Sequence, residues 1–208
     1  MSMTLATLKS ETRSLLNEPA QEFFDDTEIE RWLQQAAIDV SRVALCVEGS
    51  AEVGLTTDTQ EYSLTGTDAV DAIKIHAVIY DEKGLMKIDP RMIAHITGTA
   101  SGTPAYWYDW GGSIGFWPVP DSDCNGTSAD LYFSEETDDV TEIPDEFQLD
   151  LPLYAASRGK IKEGKFAQAA QLQQMYLNSV AFHRQNLHER GRDSKDMMKV
   201  PDRTVQAQ

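Results

Sequence analysis

Residues 112–123 read GSIGFWPVPDSD, a stretch that begins as a sheet strand and then stops being one. Ile114, Phe116 and Trp117 suit a pleated, half-buried surface. Pro118 and Pro120 follow, and proline has no N–H to give to a ladder. Asp121 and Asp123 then make the chain polar. A strand ended in this way predicts a change of place. The prolines close one ladder, residues 121–128 cross in a polar loop, and Ala129 begins the next strand in ADLYFSEE (129–136). The stretch serves topology and marks the middle of the chain as sheet.

Working outward, TPAYWYDW (103–110) and SIGFWP (113–118) flank Gly111-Gly112, a tight-turn pair that predicts a hairpin. Upstream, EYSLT is a short alternating run. AIKIHAVIY (72–80) alternates with Ile73, Ile75, Ala77 and Ile79 expected on one side. DEKG (81–84) signals a turn, LMKI (85–88) returns as strand, and DPRMIAHI reads as a helical turn across the end of the sheet. These signals predict one antiparallel sheet of about five or six strands within residues 52–136.

Both ends of the chain read as helix. Thr4 to Asn17 is a short amphipathic helix with Leu5, Leu8, Leu15 and Leu16 on one broad face, and Pro19 lies beyond its end. In FFDDTEIERWLQQAAIDVSRVALCV, Asp25, Asp26 and Thr27 offer capping oxygens, and Glu28 and Glu30 favour a first turn. Ile29, Trp32, Leu33, Ala36, Val40, Val43, Ala44 and Val47 recur at helical spacing, with an end expected near Gly49. Phe23 or Phe24 is the expected staple. After the sheet, Pro144 opens a helix, and Pro152 must kink it or move its start downstream. EGK (163–165) signals a turn. A long helix follows with Phe166, Ala169, Leu172, Tyr176, Val180 and Leu187 near one stripe and uncharged Gln168, Gln171, Gln173, Gln174 and Asn178 around it.

The order helices, sheet, helices predicts an α+β fold. The N- and C-terminal helices pack as a small bundle with the antiparallel sheet inserted between them, and an extended C-terminal arm follows. The expected organisation is a single domain over 1–188, with helices at 4–48, the β insertion at 52–136 and helices at 144–188. Residues 189–208 form a flexible, polar, charged arm.

The 208 residues are 41% hydrophobic, enough for an ordinary core, and no apolar run approaches the roughly 18 residues of a membrane span. The N-terminus lacks the pattern of a signal peptide, so an intracellular soluble protein, or a part assembled inside a cell, is expected. The formal charge is −16 and unevenly spread. Residues 1–157 hold 8 Lys+Arg against 29 Asp+Glu, whereas residues 158–208 hold 10 against 5. The body should repel nucleic acid and anionic lipid, while the tail should attract an acidic surface.

The sequence offers little catalytic chemistry. There is no GxxxxGK or GxGxxG, and GGSIG matches a nucleophile elbow only in letters, because strand follows strand there. The histidines, His76, His95, His183 and His188, form no HExxH or HxxxH pair, and His183 and His188 point about 140° apart on a helix. Cys46 reads as a buried thiol and Cys124 as a loop thiol, without a CxxC motif. Asp25, Asp26 and Asp121 to Asp123 have local explanations as caps and loop residues, and DSDCNG lacks the spacing of a calcium loop. No catalytic residue, metal ligand or cofactor is expected. The aromatics Tyr106, Trp107, Tyr108, Trp110, Phe116 and Trp117 share one hairpin. A base-stacking platform needs cations among its aromatics, and no Lys or Arg occurs between residues 92 and 157. The expectation is packing, with Tyr106, Tyr108 and Trp110 on one face and Trp107 on the other, against the helices and a neighbour.

Ordered motifs along the chain carry a resemblance. Phe24, Asp25, Asp26, Glu28, Ile29, Trp32, Leu33, Gln34 and Ala36 are followed by Gly102, Pro104 and Tyr108, the last displaced by one residue from its usual place. Ile114, Pro118, Pro120 and Asp121 come next, then Leu131-Tyr132-Phe133, then Ile143, Pro144, Phe147, Tyr154, Ala155 and Ala156. In this order and spacing the chain resembles the head-to-tail connector, or adaptor, proteins of tailed bacteriophages over residues 4–188. The resemblance implies a structural virion protein of the neck. Such proteins form a homo-oligomeric ring, usually of twelve subunits, that docks below the portal protein, meets tail or nozzle proteins, extends the channel for double-stranded DNA and retains the packaged genome. It implies assembly in the bacterial cytoplasm, no enzymatic activity and no membrane.

On that reading Arg190, Arg192, Lys195, Met197, Met198, Lys199 and Arg203 of the basic arm are the expected portal-binding residues. Tyr106, Trp107, Trp110, Phe116 and Trp117 are the expected subunit or tail interface, with the uncharged Gln-rich helix as a second adhesive surface. The alternatives are another tail or virion interaction protein, and a carbohydrate-binding β module that loses glycan binding when Trp107 or Trp117 is replaced. An enzyme would instead lose turnover with a single carboxylate.

Overall fold

Several helix ends are closed by a capping side chain or by a residue in the left-handed conformation. The computed structural model describes residues 3–18, 23–93 and 100–197, with side chains described through residue 187. The chain divides into two compact units, one of residues 1–40 with 143–208 and one of residues 41–142.

In the helical unit, α1 (Leu5–Leu16) starts at Thr4, whose hydroxyl accepts from the Thr7 N–H. It ends at Asn17, held left-handed at φ 59°, with the Glu18 and Asn17 N–H groups returning to the Arg13 and Ser14 carbonyls. That is a Schellman ending with asparagine in the glycine position. The buried face is Leu8, Thr12, Arg13 and Leu16, and the expected Leu15 is exposed. The face follows one i, i+4 row, and Leu15 falls outside it.

The second helix, α2 (Asp26–Ala44), buries Ile29, Trp32, Leu33, Ala36, Ala37 and Val40. Phe24 is buried and meets Trp32 edge-on at 5.6 Å, so Phe24 is the staple and Phe23 lies outside. Arg13 Nη2 donates to Asp26 Oδ1 at 2.5 Å and to the Phe24 carbonyl at 3.1 Å, tying α1 to the start of α2.

Pro144 precedes a single turn, α4 (Asp145–Gln148). Pro152 then sits in the first turn of α5 (Leu151–Lys162), where its missing N–H costs nothing, so the proline moves the helix start rather than bending it. At the far end Gly164, with φ 76°, closes a second Schellman ending through bonds from Gly164 to Ile161 and from Lys165 to Lys160. The last helix, α6 (Phe166–Met197), packs on α5, and α5 also packs on α1. At that second contact a Cβ on Gly159 would stand 2.6 Å from Leu16 Cδ2, so a larger residue there would displace the Leu16 side chain. Helical backbone therefore continues past residue 188, through the first part of the segment read from sequence as an arm.

The strand unit holds two four-stranded sheets rather than the single sheet expected. The first has the order β1 (Glu48–Gly54), β8 (Ser128–Glu135), β3 (Ala72–Tyr80), β4 (Lys83–Gly84). The second has the order β2 (Glu61–Ser63), β7 (Ser113–Trp117), β6 (Tyr106–Trp110), β5 (Met86–Lys87). All pairs are antiparallel except β5 with β6. The chain changes sheet after β1, after β2, after β4 through Leu85, and again at Pro118–Pro120, where the prolines end one ladder as expected and the next strand joins the other sheet. A short 3-10 turn, Ser122–Cys124, lies in that second crossing.

One core joins the two sheets. Val53, Val78, Leu131 and Phe133 come from the first, and Trp107, Ile114 and Phe116 from the second. Cys124, read as a loop thiol, is fully buried in this core, and Cys46 is buried as expected.

Two further readings in the strand unit differ from the structure. In β3 the buried residues are Ile75, Val78 and Tyr80, while Ile73 is exposed. Register shifts between Ala72 and Lys74 and between Ile75 and Ala77 change the phase, and a one-residue slip exchanges the two faces. Gly49, read as a helix stop, lies inside β1 opposite Phe133, whose ring leaves no room for a Cβ. Helix α2 ends earlier, before Leu45 at φ 54°. A helical turn, α3 (Pro90–Ile93), appears where DPRMIAHI predicts one.

Candidate interaction surfaces

The aromatic hairpin is built on a two-residue turn. Gly111 and Gly112 both have positive φ (59° and 78°), the geometry that matches the twist of β6 and β7. Across the ladder, Trp107 faces Phe116 and Tyr106 faces Trp117. Alternation sends Trp107 and Phe116 into the core, where both are buried. Tyr106, Tyr108 and Trp110 take the other face, but they fare differently there.

Tyr108 is buried because its partner across the ladder is Gly115. A Cβ on Gly115 would stand 2.0 Å from Tyr108 Cζ, so the ring lies across the bare glycine. The next residue in that row is Glu61 of β2, and the Tyr108 hydroxyl donates to Glu61 Oε1 at 2.9 Å. Burial first, then that carboxylate, push the phenol above its ordinary range and keep it protonated at neutral pH.

Of the five hairpin residues expected at an interface, Trp107, Phe116 and Trp117 are buried. Tyr106 and Trp110 are 37% and 62% exposed. Met86 of β5 lies beside Tyr106 in parallel register and is exposed, as is Met92 of α3. A groove of about 450 Å3 runs along this face, lined by Gln60, Glu61, Pro90, Arg91, Ile93, Tyr108 and Trp110. The methionines and the groove escape sequence reading, because β5 is two residues long and its parallel pairing is not local. The small residue opposite Tyr108 was the one usable signal.

Of the seven residues expected to bind a portal, Arg190, Arg192, Lys195 and Met197 fall on the backbone of α6, with side chains outside the described residues. Met198, Lys199 and Arg203 lie outside the described residues altogether, as does His95. His188 lies on α6 with an undescribed side chain.

Other polar groups have structural partners. His76 Nε2 is 2.7 Å from Ser134 Oγ, and Ser134 donates to the Leu45 carbonyl. Burial, with Lys74 nearby, lowers the His76 pKa. Lys160 is buried, and its ammonium donates to the Leu16 carbonyl at the end of α1 (3.0 Å) and to Glu163 (3.1 Å). Tyr176 donates to Asp39 Oδ2 at 2.5 Å, and burial followed by that carboxylate raises its pKa. Among the described residues no group of three His, Cys, Asp or Glu side chains is arranged to hold a metal ion. No helix among them is long and apolar enough to cross a membrane.

A family model described as SU10 adaptor protein matches residues 3–204. The chain belongs to that family. The SU10 adaptor match covers both units and nearly the whole chain, including the ordered motifs from Phe24 to Ala156. The protein is a structural adaptor of a bacteriophage. Adaptor membership implies oligomerisation, contact with portal or tail components, a place at the virion neck and a non-enzymatic role. No curated protein matches the chain.

Proposed function

We propose that the chain is one subunit of a ring, of twelve copies on the family pattern, that docks below the portal, extends the DNA channel toward the tail and helps retain the packaged genome. The observation that carries this reading beyond the family match is the distribution of charge. The strand unit, residues 41–142, holds 5 Lys+Arg against 18 Asp+Glu, while residues 158–208 hold 10 against 5. Phosphate binding needs cationic partners. An acidic strand unit beside the channel lets DNA slide past without adhering. Residues 189–203, which hold 5 Lys+Arg against 4 Asp+Glu and begin on the backbone of α6, are the segment that docks on the portal. Tyr106, Trp110 and Met86 offer the apolar face suited to the next tail component.

Electron cryo-microscopy of the virion neck tests the proposal. A closed ring of this chain against the portal is the expected result, and a neck without the chain refutes it. A second measurement isolates the arm: deleting residues 189–208 should abolish capture by the purified portal, and undiminished capture would remove the arm from the account.

A further inference from the structure

We infer that α6 is the self-association element of this chain, with one flank of the helix binding the opposite flank of α6 in the next copy. The inference deepens the ring reading by naming the surface and its partner. Three observations lead to it. From Phe166 to Phe182 the helix carries no Asp, Glu, Lys or Arg, although a quarter of the chain is charged. Its buried stripe is narrow: among the described side chains of α6, only Ala169, Tyr176 and Val180 are buried. Four large apolar side chains outside that stripe, Phe166, Met175, Leu177 and Phe182, are 48–69% exposed.

Their angular positions divide them into two sets. At 100° per residue, with Tyr176 as zero, Phe166 and Leu177 lie about 80–100° to one side, and Met175 and Phe182 lie about 100–120° to the other. The same helix thus presents two different apolar flanks facing roughly opposite ways. A head-to-tail contact requires two unlike faces on each subunit, whereas a twofold dimer requires only one.

Charge selects a second copy as the occupant. Two chains of net charge −16 repel across most of their surfaces, and like charges facing each other at an interface are costly. A stretch without charge is a place where copies can approach without that cost, and depletion of charge marks interface cores. The exposed hairpin face does not offer the same conditions. It has one side, and Glu61 and Asp109 lie on the strands beside or within it.

The test uses the full chain and two complementary double variants, Met175→Glu/Phe182→Glu and Phe166→Glu/Leu177→Glu. Sedimentation of the unmodified chain up to millimolar concentration should show concentration-dependent association. Each variant alone should associate at least about 30-fold more weakly, the change that marks an interface hot spot. An equimolar mixture should form heterodimers and stop there, because each variant still supplies one intact flank. Circular dichroism matching the unmodified chain verifies folding, and two exposed single sites give milder variants if a double variant fails to fold: Gln171→Glu, at about −140° beside Met175 and Phe182, and Ala170→Glu, at about 120° beside Phe166 and Leu177. An unmodified chain that stays monomeric throughout overturns the inference. So does association that survives both variants, as when other surfaces or the C-terminal residues carry it, and so does a mixture that gains nothing over its components. None of these results affects the location of the chain in the neck, which imaging decides separately.

Discussion

In the helical unit polar side chains fasten the helix ends, with Gly159 allowing one close approach, whereas in the strand unit glycines make room for aromatic rings. Arg13 fastens α1 to the start of α2, and the buried Lys160 takes the last carbonyl of α1. In the strand unit Gly115 makes room for the Tyr108 ring and Gly49 for the Phe133 ring. The difference follows from backbone chemistry. A helix leaves unsatisfied carbonyls at its end, so a cation there is favourable. A ladder satisfies its own backbone, and what limits it is the space between side chains on neighbouring strands. The two units should therefore fail in different ways.

The most damaging single change should be Gly115→Val. The new side chain occupies the place of the Tyr108 ring, expels it from the sheet face and breaks its bond to Glu61. A loss of about 3 kcal/mol or more is expected in urea unfolding, with near-ultraviolet dichroism altered. A neutral result would mean that the ring does not lie on the glycine. Next is Lys160→Met, which keeps the apolar stem and removes the ammonium. It deprives the Leu16 carbonyl and Glu163 of a buried charged donor, at a cost of about 2 kcal/mol. If Met proves as stable as Lys, the contrast between the units collapses. Tyr176→Phe removes one bond to Asp39 and should cost about 1 kcal/mol by thermal or urea denaturation, with no change in fold.

The smallest effect is one of pH. His76 has a lowered folded pKa, chiefly from burial, against about 6.5 when unfolded. Between those values the unfolded chain binds more protons, so stability should fall as pH drops below about 6.5 through the folded pKa. His76→Gln should flatten that part of the stability–pH curve. A profile unchanged by the substitution would show that His76 is not the group responsible.

The helices were legible because each keeps one spacing from cap to cap, from Ile29 to Val40 and from Ala169 to Val180. The sheets were legible only in part. Local signals located the Gly111–Gly112 turn, the proline exit and the strand at 129–136, and all three stand where expected. The division into two sheets, the parallel pairing of β5 and the reversed faces of β3 depend on partners distant in sequence, and residue spacing along one strand does not encode them. The same holds for the interaction surfaces. The absence of charge along α6 can be read directly, but the exposure of Met86 beside Tyr106 follows from a pairing across 20 positions. Trp107, Phe116 and Trp117 look adhesive as letters and are interior as residues.

The contact of α1 with α5 has a consequence for synthesis. Helix α1 ends at Leu16, and α5 begins at Leu151, beyond the entire strand unit. A ribosome adding about 5–20 residues per second needs on the order of 10 s to deliver the second after the first. During that interval the newborn N-terminal helices show Leu8, Leu16 and Phe24 to water. Translation speed and chaperone supply, rather than final stability alone, should therefore set how much of the chain reaches its finished form.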